Sequence, residues 1–317
     1  MVKNSNDEKI KQSLMAAHLY YEENKGQSEI ANQLGISRPT VSRLLQQAKQ
    51  LGFVKIQIEN PLLDAKELEN LLNKKYHATI KVVPTNYRNK TAILDSVGAY
   101  TADYLMKIVK PGDIIGIGWG KTIHAVTNQL EKQSVKDVRV VQLKGSVSIG
   151  ECEETYAYEN INELAYAFNT KANYLPLPTI FDNQLTRELV EQDRFIKDVL
   201  ELGRKANIAL FTVGTVRKEA LLFQQGYLNE DQKAELQLHA VGDVVSRFID
   251  SKGQIVNNEL NNRTIGIELE ELKAKDSSII IASGLGKVAG VHTVLSSGYA
   301  NLGIFDSALA QYLVDYV

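Results

Sequence analysis

The sequence predicts an α/β protein in two parts: a small N-terminal helix-turn-helix domain and a larger, Rossmann-like domain on a mostly parallel sheet. Residues 27–46, QSEIANQLGISRPTVSRLLQ, have the internal spacing of a helix-turn-helix. From Thr79 onward, short apolar runs alternate with amphipathic helical segments, the pattern of parallel strands covered on both faces. A chain of 317 residues is long enough for about two domains.

We predict three regions along the chain. Residues 1–58 form a DNA-binding helix-turn-helix domain. Residues 59–78 form a linker or oligomerisation helix, and residues 79–317 form a domain that binds a small-molecule effector.

The helix-turn-helix prediction depends on a glycine, a cap and an apolar register. Gly35 follows the first short helix, where positive φ favours glycine. Ser37 is a good N-cap and Pro39 is tolerated in a first turn, so the second helix begins near Arg38. The inner faces carry Ile30, Ala31, Leu34, Val41, Leu44 and Leu45.

The outward side chains of the second helix are the candidates for contact with base edges and phosphates. They are Ser37, Arg38, Pro39, Thr40, Ser42, Arg43 and Gln46. The alternative is an ordinary helical hairpin with a solvated, charged face.

The segments beside this motif complete a small domain. Residues 8–24 have the apolar period of a supporting helix, and residues 53–60, FVKIQIEN, alternate like a strand and predict a short wing. Residues 1–56 hold eight Lys and Arg against five Asp and Glu, whereas the remainder holds 28 against 33. The basic footprint is confined to the N-terminal segment and is modest, which favours a homo-oligomer that engages two half-sites of a palindromic operator.

Composition excludes several other classes of protein. No signal peptide or apolar run of membrane-spanning length is present, so we expect a cytoplasmic protein with no membrane partner. Cys152 is the single cysteine and has no neighbouring His or Lys in sequence to activate it. The five histidines lack metal-ligand spacing, so we predict no metal site and no cofactor: His18, His77, His124, His239 and His292.

Residues 60–78, NPLLDAKELENLLNKKYHA, predict a helix with an apolar stripe of Leu68, Leu71 and Leu72. A short stripe does not specify its partner. The helix either packs on its own domain or helps to pair subunits.

The effector domain is predicted from strands that alternate with helices. The strands are IKVVP, DIIGIGW, VRVVQL, NIALFTVG, SSIIIAS and NLGIFD. The helices between them include residues 91–108, KTIHAVTNQL and YENINELAYAF, a charged segment after NIALFTVG, and a helix before NLGIFD. In such sheets, ligands bind at the carboxyl ends of the strands.

The segment GIGWGKT, residues 116–122, stands where a strand gives way to a helix. Glycines allow close approach of an anion, helix-terminal N–H groups point at it, and Lys121 and Thr122 add charge and a hydroxyl. This pattern predicts a phosphate site formed by residues 118–122, namely Gly118, Trp119, Gly120, Lys121 and Thr122. It matches neither GxxxxGK[ST] nor GxGxxG, and the alternative is a tight turn without a ligand.

Further polar residues follow other predicted strands. Lys144 follows VRVVQL and precedes Gly145, and a lysine at the end of a buried strand is paired, deprotonated or extended to solvent. Carboxylate and amide groups suit sugar hydroxyls, and a second lysine beside glycines suits a phosphate. The remaining candidates are Asp182, Asn183, Gly214, Thr215, Asp243 and Lys287. The alternative for Asp182 and Asp243 is a role as turn or helix-cap residues, and the alternative for Lys287 is a solvated charge in a loop.

The sequence resembles the SorC-type sugar-binding transcriptional regulators over almost its whole length. The segments that carry this resemblance are ISRPTVSRLL, GIGWGKT, VVQLKG, NYLPLPTIFDN, ALFTVGTVRKEALL, AVGDVVSRFID, NNRTIGIEL and SGLGKV. The resemblance implies a helix-turn-helix joined to an effector domain with the fold of sugar-phosphate isomerases and deaminases, assembled as a tetramer. By matching position, residues 118–122 and Lys287 hold phosphate, whereas Lys144, Asp182, Asn183 and Asp243 face the sugar.

The resemblance favours a repressor of a sugar or deoxyribonucleoside catabolic operon, with deoxyribose 5-phosphate as effector. Lys121 departs from the pattern, because a hydroxyl residue is expected there, and so the sugar phosphate is less certain than the family. Lys144 is a candidate for a reversible Schiff base with the sugar aldehyde; the alternative is a simple hydrogen bond or ion pair.

The competing class of protein is a sugar-phosphate isomerase or aldolase with a DNA-binding head. A turnover assay separates the two, and the helix-turn-helix favours a regulator that is not an enzyme.

Overall fold

The computed structural model describes residues 3–23, 25–54, 64–85, 89–146 and 155–316. By its internal contacts the chain divides into two units, Met1–Asn60 and Pro61–Val317.

The helices of the first unit are α1 Lys3–Tyr21, α2 Gln27–Leu34 and α3 Arg38–Gln50. The helices of the second unit are α4 Ala65–Tyr76, α5 Lys90–Ile108, α6 Lys121–Thr127, α7 Ala157–Ala167, α8 Gln184–Glu191, α9 Arg194–Lys205, α10 Leu221–Gln224, α11 Glu230–His239, α12 Asn258–Arg263, α13 Leu269–Lys273, α14 Val288–Ser296 and α15 Ser307–Asp315. Its strands are β1 Thr79–Val83, β2 Ile114–Ile117, β3 Arg139–Gln142, β4 Ala172–Asn173, β5 Ile208–Phe211, β6 Val213–Gly214, β7 Gly242–Val244, β8 Arg247–Ile249, β9 Ser277–Ala282 and β10 Leu302–Asp306.

The first unit is built as the spacing predicts. Gly35 ends α2 with φ 65°, a left-handed conformation that glycine adopts without a Cβ penalty. Ser37 caps α3, and its Oγ accepts a hydrogen bond from the Thr40 N–H at 3.3 Å. The three helices share one core, which includes Ala16, Leu19, Ile30, Ala31, Val41, Leu44, Leu45 and Ala48. The predicted wing is not seen at Phe53 and Val54, which lie outside any strand, and its other residues lie outside the described ones.

The second unit is built on a parallel sheet with the strand order β1-β10-β9-β5-β2-β3-β4. All its pairings are parallel. The strands alternate with helices, and two buried clusters hold side chains such as Ile80 and Phe305, and Ile115 and Ile304. The central strands are almost wholly apolar, as expected where both faces of a sheet are covered. The chain order reverses between the neighbours β2 and β5, and ligands bind at such switch points.

The predicted strand NIALFTVG is divided between two sheets. Ile208–Phe211 belongs to the parallel sheet, whereas Val213–Gly214 begins an antiparallel sheet of β6, β7 and β8. The turn between β7 and β8 holds Val245 and Ser246 at φ 45° and 71°. Such values are rare for a β-branched residue, so the surrounding packing must stabilise this turn.

Helix α4, within the predicted linker of residues 59–78, packs on the second unit. Leu68 and Leu72 are buried in the cluster that includes Ile80 and Leu313, and Asp64 caps the helix through its bond from Glu67 N–H. Leu71 is 44% exposed. Of the two alternatives, packing on its own domain therefore accounts for two of the three leucines, and pairing of subunits through Leu71 stays a prediction.

No helix in the described part of the chain is both long and apolar enough to cross a membrane.

Candidate effector-binding site

A pocket of about 300 Å³ lies at the carboxyl ends of the central strands. The segments that follow β2, β5, β9 and β3 contribute Thr122, Thr212, Lys287 and Lys144 to its lining. These strands are consecutive neighbours in the sheet, so residues far apart in sequence meet at one edge. This is the position where the strand order reverses.

Lys144 is a buried cation at the base of this pocket, 6% exposed. Its backbone pairs with Gly266 in an isolated bridge, and its Nζ lies 3.6 Å from the centroid of the Trp119 ring. Burial lowers the pKa of Lys144 to about 8, an effect that Asp243 partly opposes. A substantial fraction of this amine is therefore neutral near pH 8.

Lys287 is the second cation of the pocket, and the residue is half-buried. Its Nζ donates hydrogen bonds to Thr212 Oγ1 at 2.8 Å and to Thr122 Oγ1 at 3.2 Å. Burial also lowers the pKa of Lys287 to about 8, again opposed by Asp243. The loop that carries it is held by Asp306, whose Oδ2 accepts the Gly284 N–H at 2.8 Å.

Asp243 is the carboxylate that interacts electrostatically with both lysines. Burial raises the pKa of Asp243, while Lys144, the Ser246 N–H and Lys287 act in the opposite direction. Its Oδ2 accepts the Ser246 N–H at 3.1 Å, so the strained β7–β8 turn positions the carboxylate. Gly214 pairs with Asp243 across the antiparallel sheet, and a Cβ at Gly214 would lie 1.8 Å from Asp243 Oδ1. Glycine is required there because the carboxylate occupies the space of a side chain.

The first turn of α6 faces the same pocket. Gly120 precedes the helix with φ 117°, and Gly120, Lys121 and Thr122 all line the cavity. The first N–H groups of any α-helix have no partner within the helix, so they are available to an anion. The lining holds three lysines, Lys121, Lys144 and Lys287, against two carboxylates, Asp243 and Glu219, and this excess of positive charge further favours an anionic ligand.

Several lining residues are missing from the sequence prediction. Thr212 bonds Lys287, Glu219 lines the pocket, and Leu221 and Leu222 form an apolar wall. The exposed guanidinium of Arg217 lies against the lysine-bearing loop, since a Cβ at Gly286 would lie 2.5 Å from it. Residues 217–222 lie in a segment predicted only as charged and helical, so no pattern indicates that they turn toward the pocket.

Gly118 and Gly145 do not line the pocket. The Gly118 N–H donates to Leu210 O at 2.8 Å, which continues the pairing of β2 with β5. Gly145 O accepts from Trp119 Nε1 at 2.8 Å and from Thr179 Oγ1 at 2.9 Å, which fixes the indole beside Lys144. These glycines support the site through backbone packing rather than by direct contact with a ligand.

Asp182 and Asn183 are not brought to the pocket, contrary to the sequence prediction. They line a separate cavity, and Asn183 caps α8 through a 2.8 Å bond from Thr186 N–H to its Oδ1. The prediction treats them as strand-end residues, but nearby backbone pairing is limited to an isolated bridge between Ile180 and Thr264. The structure brings Lys121, Lys144, Lys287, Asp243, Gly214 and Thr215 to one pocket, and their binding of an effector stays a prediction.

The predicted DNA-reading side chains lie on the outer face of α3 and at its cap. The exposed ones are Ser37, Arg38, Pro39, Ser42, Arg43 and Gln46. Thr40 is half-buried, and its Oγ1 shares a hydrogen bond of 2.8 Å with the Ser37 hydroxyl. This side chain therefore supports the helix cap rather than the outer face.

Among the described residues, no group of three or more His, Cys, Asp or Glu is arranged to hold a metal ion. The ring of His124 is held by neighbouring side chains: its centroid lies 4.0 Å from that of the stacked Tyr156 ring, and its nitrogens share hydrogen bonds with Asn160 and Asn128. Cys152 lies outside the described residues.

Comparison with known proteins decides the family. The family model for a sugar-binding domain matches residues 60–315. The deoxyribonucleoside regulator of Bacillus subtilis is 46% identical over 311 residues, which cover 97% of this chain and 98% of that protein. The chain belongs to the SorC-type family of sugar-binding transcriptional regulators.

Solved structures of the family share this architecture. The full-length sorbitol operon regulator SorC from Klebsiella pneumoniae superposes with a TM-score of 0.71 at 26% identity, covering 96% of this chain and 99% of that one. A DeoR family transcriptional regulator from Listeria monocytogenes gives a TM-score of 0.72 at 25% identity over 78% of this chain and 99% of that one. The SorC match includes residues from both units.

Proposed function

We propose that this protein is a repressor whose affinity for operator DNA is lowered by deoxyribose 5-phosphate. The observation that carries the proposal is the pair of pocket lysines, buried Lys144 and half-buried Lys287, that lie near one carboxylate at the switch point of the sheet. The name of the Bacillus subtilis relative supports deoxyribonucleosides as the class of nutrient. We further propose that the chain acts as a tetramer on a palindromic operator in the cytoplasm.

In this proposal the phosphate binds at the first turn of α6. Lys287 and the hydroxyls of Thr122 and Thr212 already form one hydrogen-bonded group, which presents a cation and donors to phosphate oxygens. Charge-assisted bonds of this kind contribute about 1.5–3 kcal/mol each. The unphosphorylated sugar should therefore bind far more weakly.

The open-chain aldehyde of the sugar then reaches Lys144. The neutral amine adds to C1 to give a carbinolamine, which loses one water to form an imine, with no oxidant or reductant required. The low pKa supplies the neutral amine, and the Trp119 ring provides an apolar wall at 3.6 Å. This bond compensates for the hydrogen bond that the missing 2-hydroxyl would otherwise offer.

Borohydride trapping tests the covalent step. Reduction with deoxyribose 5-phosphate present should leave a stable adduct on the peptide that contains Lys144, and none in Lys144→Met. Deoxyribitol 5-phosphate, which has no aldehyde, is the matched ligand and should bind without any adduct. If calorimetry confirms saturation by the aldehyde and mass mapping finds no adduct, the imine is rejected.

The regulator assignment is tested separately from the imine. A regulator needs only a difference in effector affinity between two states of the protein, whereas an enzyme needs turnover. Prolonged incubation with pentose and hexose phosphates should return the sugars unchanged. Steady conversion of any of them would place the protein in the isomerase or aldolase class.

A further inference from the structure

Arg247 is a buried arginine at the start of β8, and it does not itself line the effector pocket. The residue is 1% exposed, and all three nitrogens of its guanidinium donate hydrogen bonds. Nε donates to Ile267 O at 2.9 Å, and Nη1 donates to Asn261 Oδ1 at 2.7 Å. Nη2 donates to Gly266 O at 3.3 Å and to Glu268 Oε1 at 2.7 Å. One side chain therefore holds both ends of the segment 261–268.

That segment lies directly against the backbone of Lys144. Gly266 and Lys144 form an isolated antiparallel bridge, and the Ile267 N–H donates to Leu143 O at 2.9 Å. A Cβ at Gly266 would lie 2.8 Å from Lys144 Cα, so the two backbone segments are in direct contact. The Gly266 carbonyl accepts from Arg247 instead of from the lysine-bearing segment. The arginine thus fixes the surface on which the backbone of the pocket lysine rests.

The backbone of Arg247 belongs to the hairpin that carries the pocket carboxylate. It pairs with Val244 across β7 and β8, and it directly follows Ser246, whose N–H donates to Asp243 Oδ2 at 3.1 Å. The turn has positive φ at Val245 and Ser246, and such a turn persists only where its surroundings determine it. Arg247 therefore joins the carboxylate-bearing hairpin, through its backbone, to the lysine-bearing segment, through its side chain.

This link is costly for the fold, which indicates a role beyond filling space. A guanidinium loses its hydration on burial, and its ion-pair partner Glu268 has a side chain that is 51% exposed, so solvent screens their attraction. Apolar replacements of buried ion pairs are often neutral or stabilising. An apolar side chain cannot supply the rigid fork of donors that holds two segments of backbone in one geometry.

We propose that Arg247 is a positioning residue of the effector site, which fixes the Lys144 amine relative to Asp243. The inference deepens the proposed function, on which its consequences for ligand binding rest. Lys144 is then held on two sides, by the Gly266 backbone and by the Trp119 ring, whose centroid lies 3.6 Å from Nζ. Without the guanidinium, the lysine should gain solvent and freedom to move, while the phosphate end at α6 stays in place.

Trace acetylation between about pH 6 and about pH 11, read by peptide mass mapping, measures the pKa of Lys144 in the full-length protein without a ligand. Burial is the largest cause of the lowered pKa, and Asp243 opposes it. Arg247→Met should raise the midpoint of labelling at Lys144 by roughly half a pH unit or more, because gained solvent outweighs a weaker attraction to Asp243. Arg247→Lys keeps the charge but not the fork, and should shift the midpoint in the same direction by less.

Lys275→Met is the matched control. Lys275 is also a buried cation, 4% exposed, and its Nζ donates to Gly203 O at 3.0 Å and to Arg204 O at 2.6 Å. It precedes β9, at the end of the sheet opposite the pocket. The control variant should lower the melting temperature and leave the labelling midpoint of Lys144 unchanged, which separates positioning from a general loss of stability.

Borohydride trapping separates this proposal from the proposed function. At about pH 8, Arg247→Met should slow the adduct of deoxyribose 5-phosphate on Lys144 about tenfold or more, and should weaken binding of deoxyribitol 5-phosphate by no more than about threefold. If the parent forms no adduct at saturating ligand, the imine of the proposed function fails and the labelling midpoint alone decides the role of Arg247.

The positioning role is overturned if Arg247→Met keeps the parental midpoint of Lys144. A parental midpoint in Arg247→Lys also overturns it, because a shift in Arg247→Met would then come from the lost charge. If Arg247→Met does not fold, Arg247→Lys decides in the same way. An equal shift in Lys275→Met would assign the effect to stability and would likewise reject the proposal.

Discussion

Phosphate binding in the effector pocket should weaken as pH rises through the pKa of Lys287. With a pKa of about 8, this lysine is about 90% protonated at pH 7 and about 10% protonated at pH 9. A phosphate monoester, with a second pKa of about 6, is a dianion across that range. If the ammonium form binds phosphate, the phosphate raises the pKa of Lys287 in the complex, and the affinity is complete below the pKa of the free protein. Above that pKa the affinity falls with the protonated fraction of the lysine, about tenfold between pH 7 and pH 9.

The assay is calorimetry with deoxyribitol 5-phosphate, which lacks the aldehyde and so isolates phosphate binding. Lys144 also has a pKa of about 8, so the titration is run in Lys144→Met, where the remaining slope belongs to Lys287. Lys287→Met should bind roughly 10- to 100-fold more weakly at pH 7, from the loss of about 1.5–3 kcal/mol. Affinity that stays constant from pH 7 to pH 9 in Lys144→Met would refute the role of the Lys287 ammonium.

Four further predictions follow from the geometry. Imine formation on Lys144 with deoxyribose 5-phosphate, trapped by borohydride, should speed up about tenfold from about pH 7 to about pH 9 and then level off, because a pKa of about 8 makes most of the amine neutral by then; a rate that rises about a hundredfold over this range would contradict the lowered pKa. Gly214→Ala should displace the Asp243 carboxylate and lower stability by about 1–3 kcal/mol in thermal melts, with a weakened effector response. Arg43→Ala should weaken operator binding by about 1–3 kcal/mol at fixed salt and alter base preference, as measured by anisotropy. Gly35→Ala should destabilise the first unit by about 1 kcal/mol, seen as earlier loss of helical circular dichroism, because its φ of 65° disfavours a Cβ.

Much of the fold is predictable because the hydrophobic pattern of this chain is local and regular. The strands around Ile115, Val141 and Ile280 are short, apolar and bounded by turns, and the α3 register follows directly from Gly35 and Ser37. The meeting of Lys144 and Lys287 is also predictable, since both follow strands of one parallel sheet.

Other features depend on tertiary contacts that local patterns in a single sequence do not predict. The chain leaves the parallel sheet after Phe211 and starts an antiparallel one at Val213, yet the apolar run is nearly continuous. Asp182 and Asn183 follow an irregular segment rather than a strand of the sheet, so they line a separate cavity although the sequence places them like strand-end site residues.

Fluorescence anisotropy of full-length protein on its operator tests the central claim, that occupancy of the lysine pocket controls DNA affinity. The DNA is a site that the protein selects from a random-sequence pool, and the complex is titrated at constant salt with deoxyribose 5-phosphate or with 2-deoxyribose. The phosphorylated sugar should lower operator affinity at least fivefold, the size of a coupling free energy of about 1 kcal/mol, while 2-deoxyribose has no effect and Lys287→Met no longer responds. Operator affinity that is the same with and without saturating deoxyribose 5-phosphate would contradict the proposed mechanism.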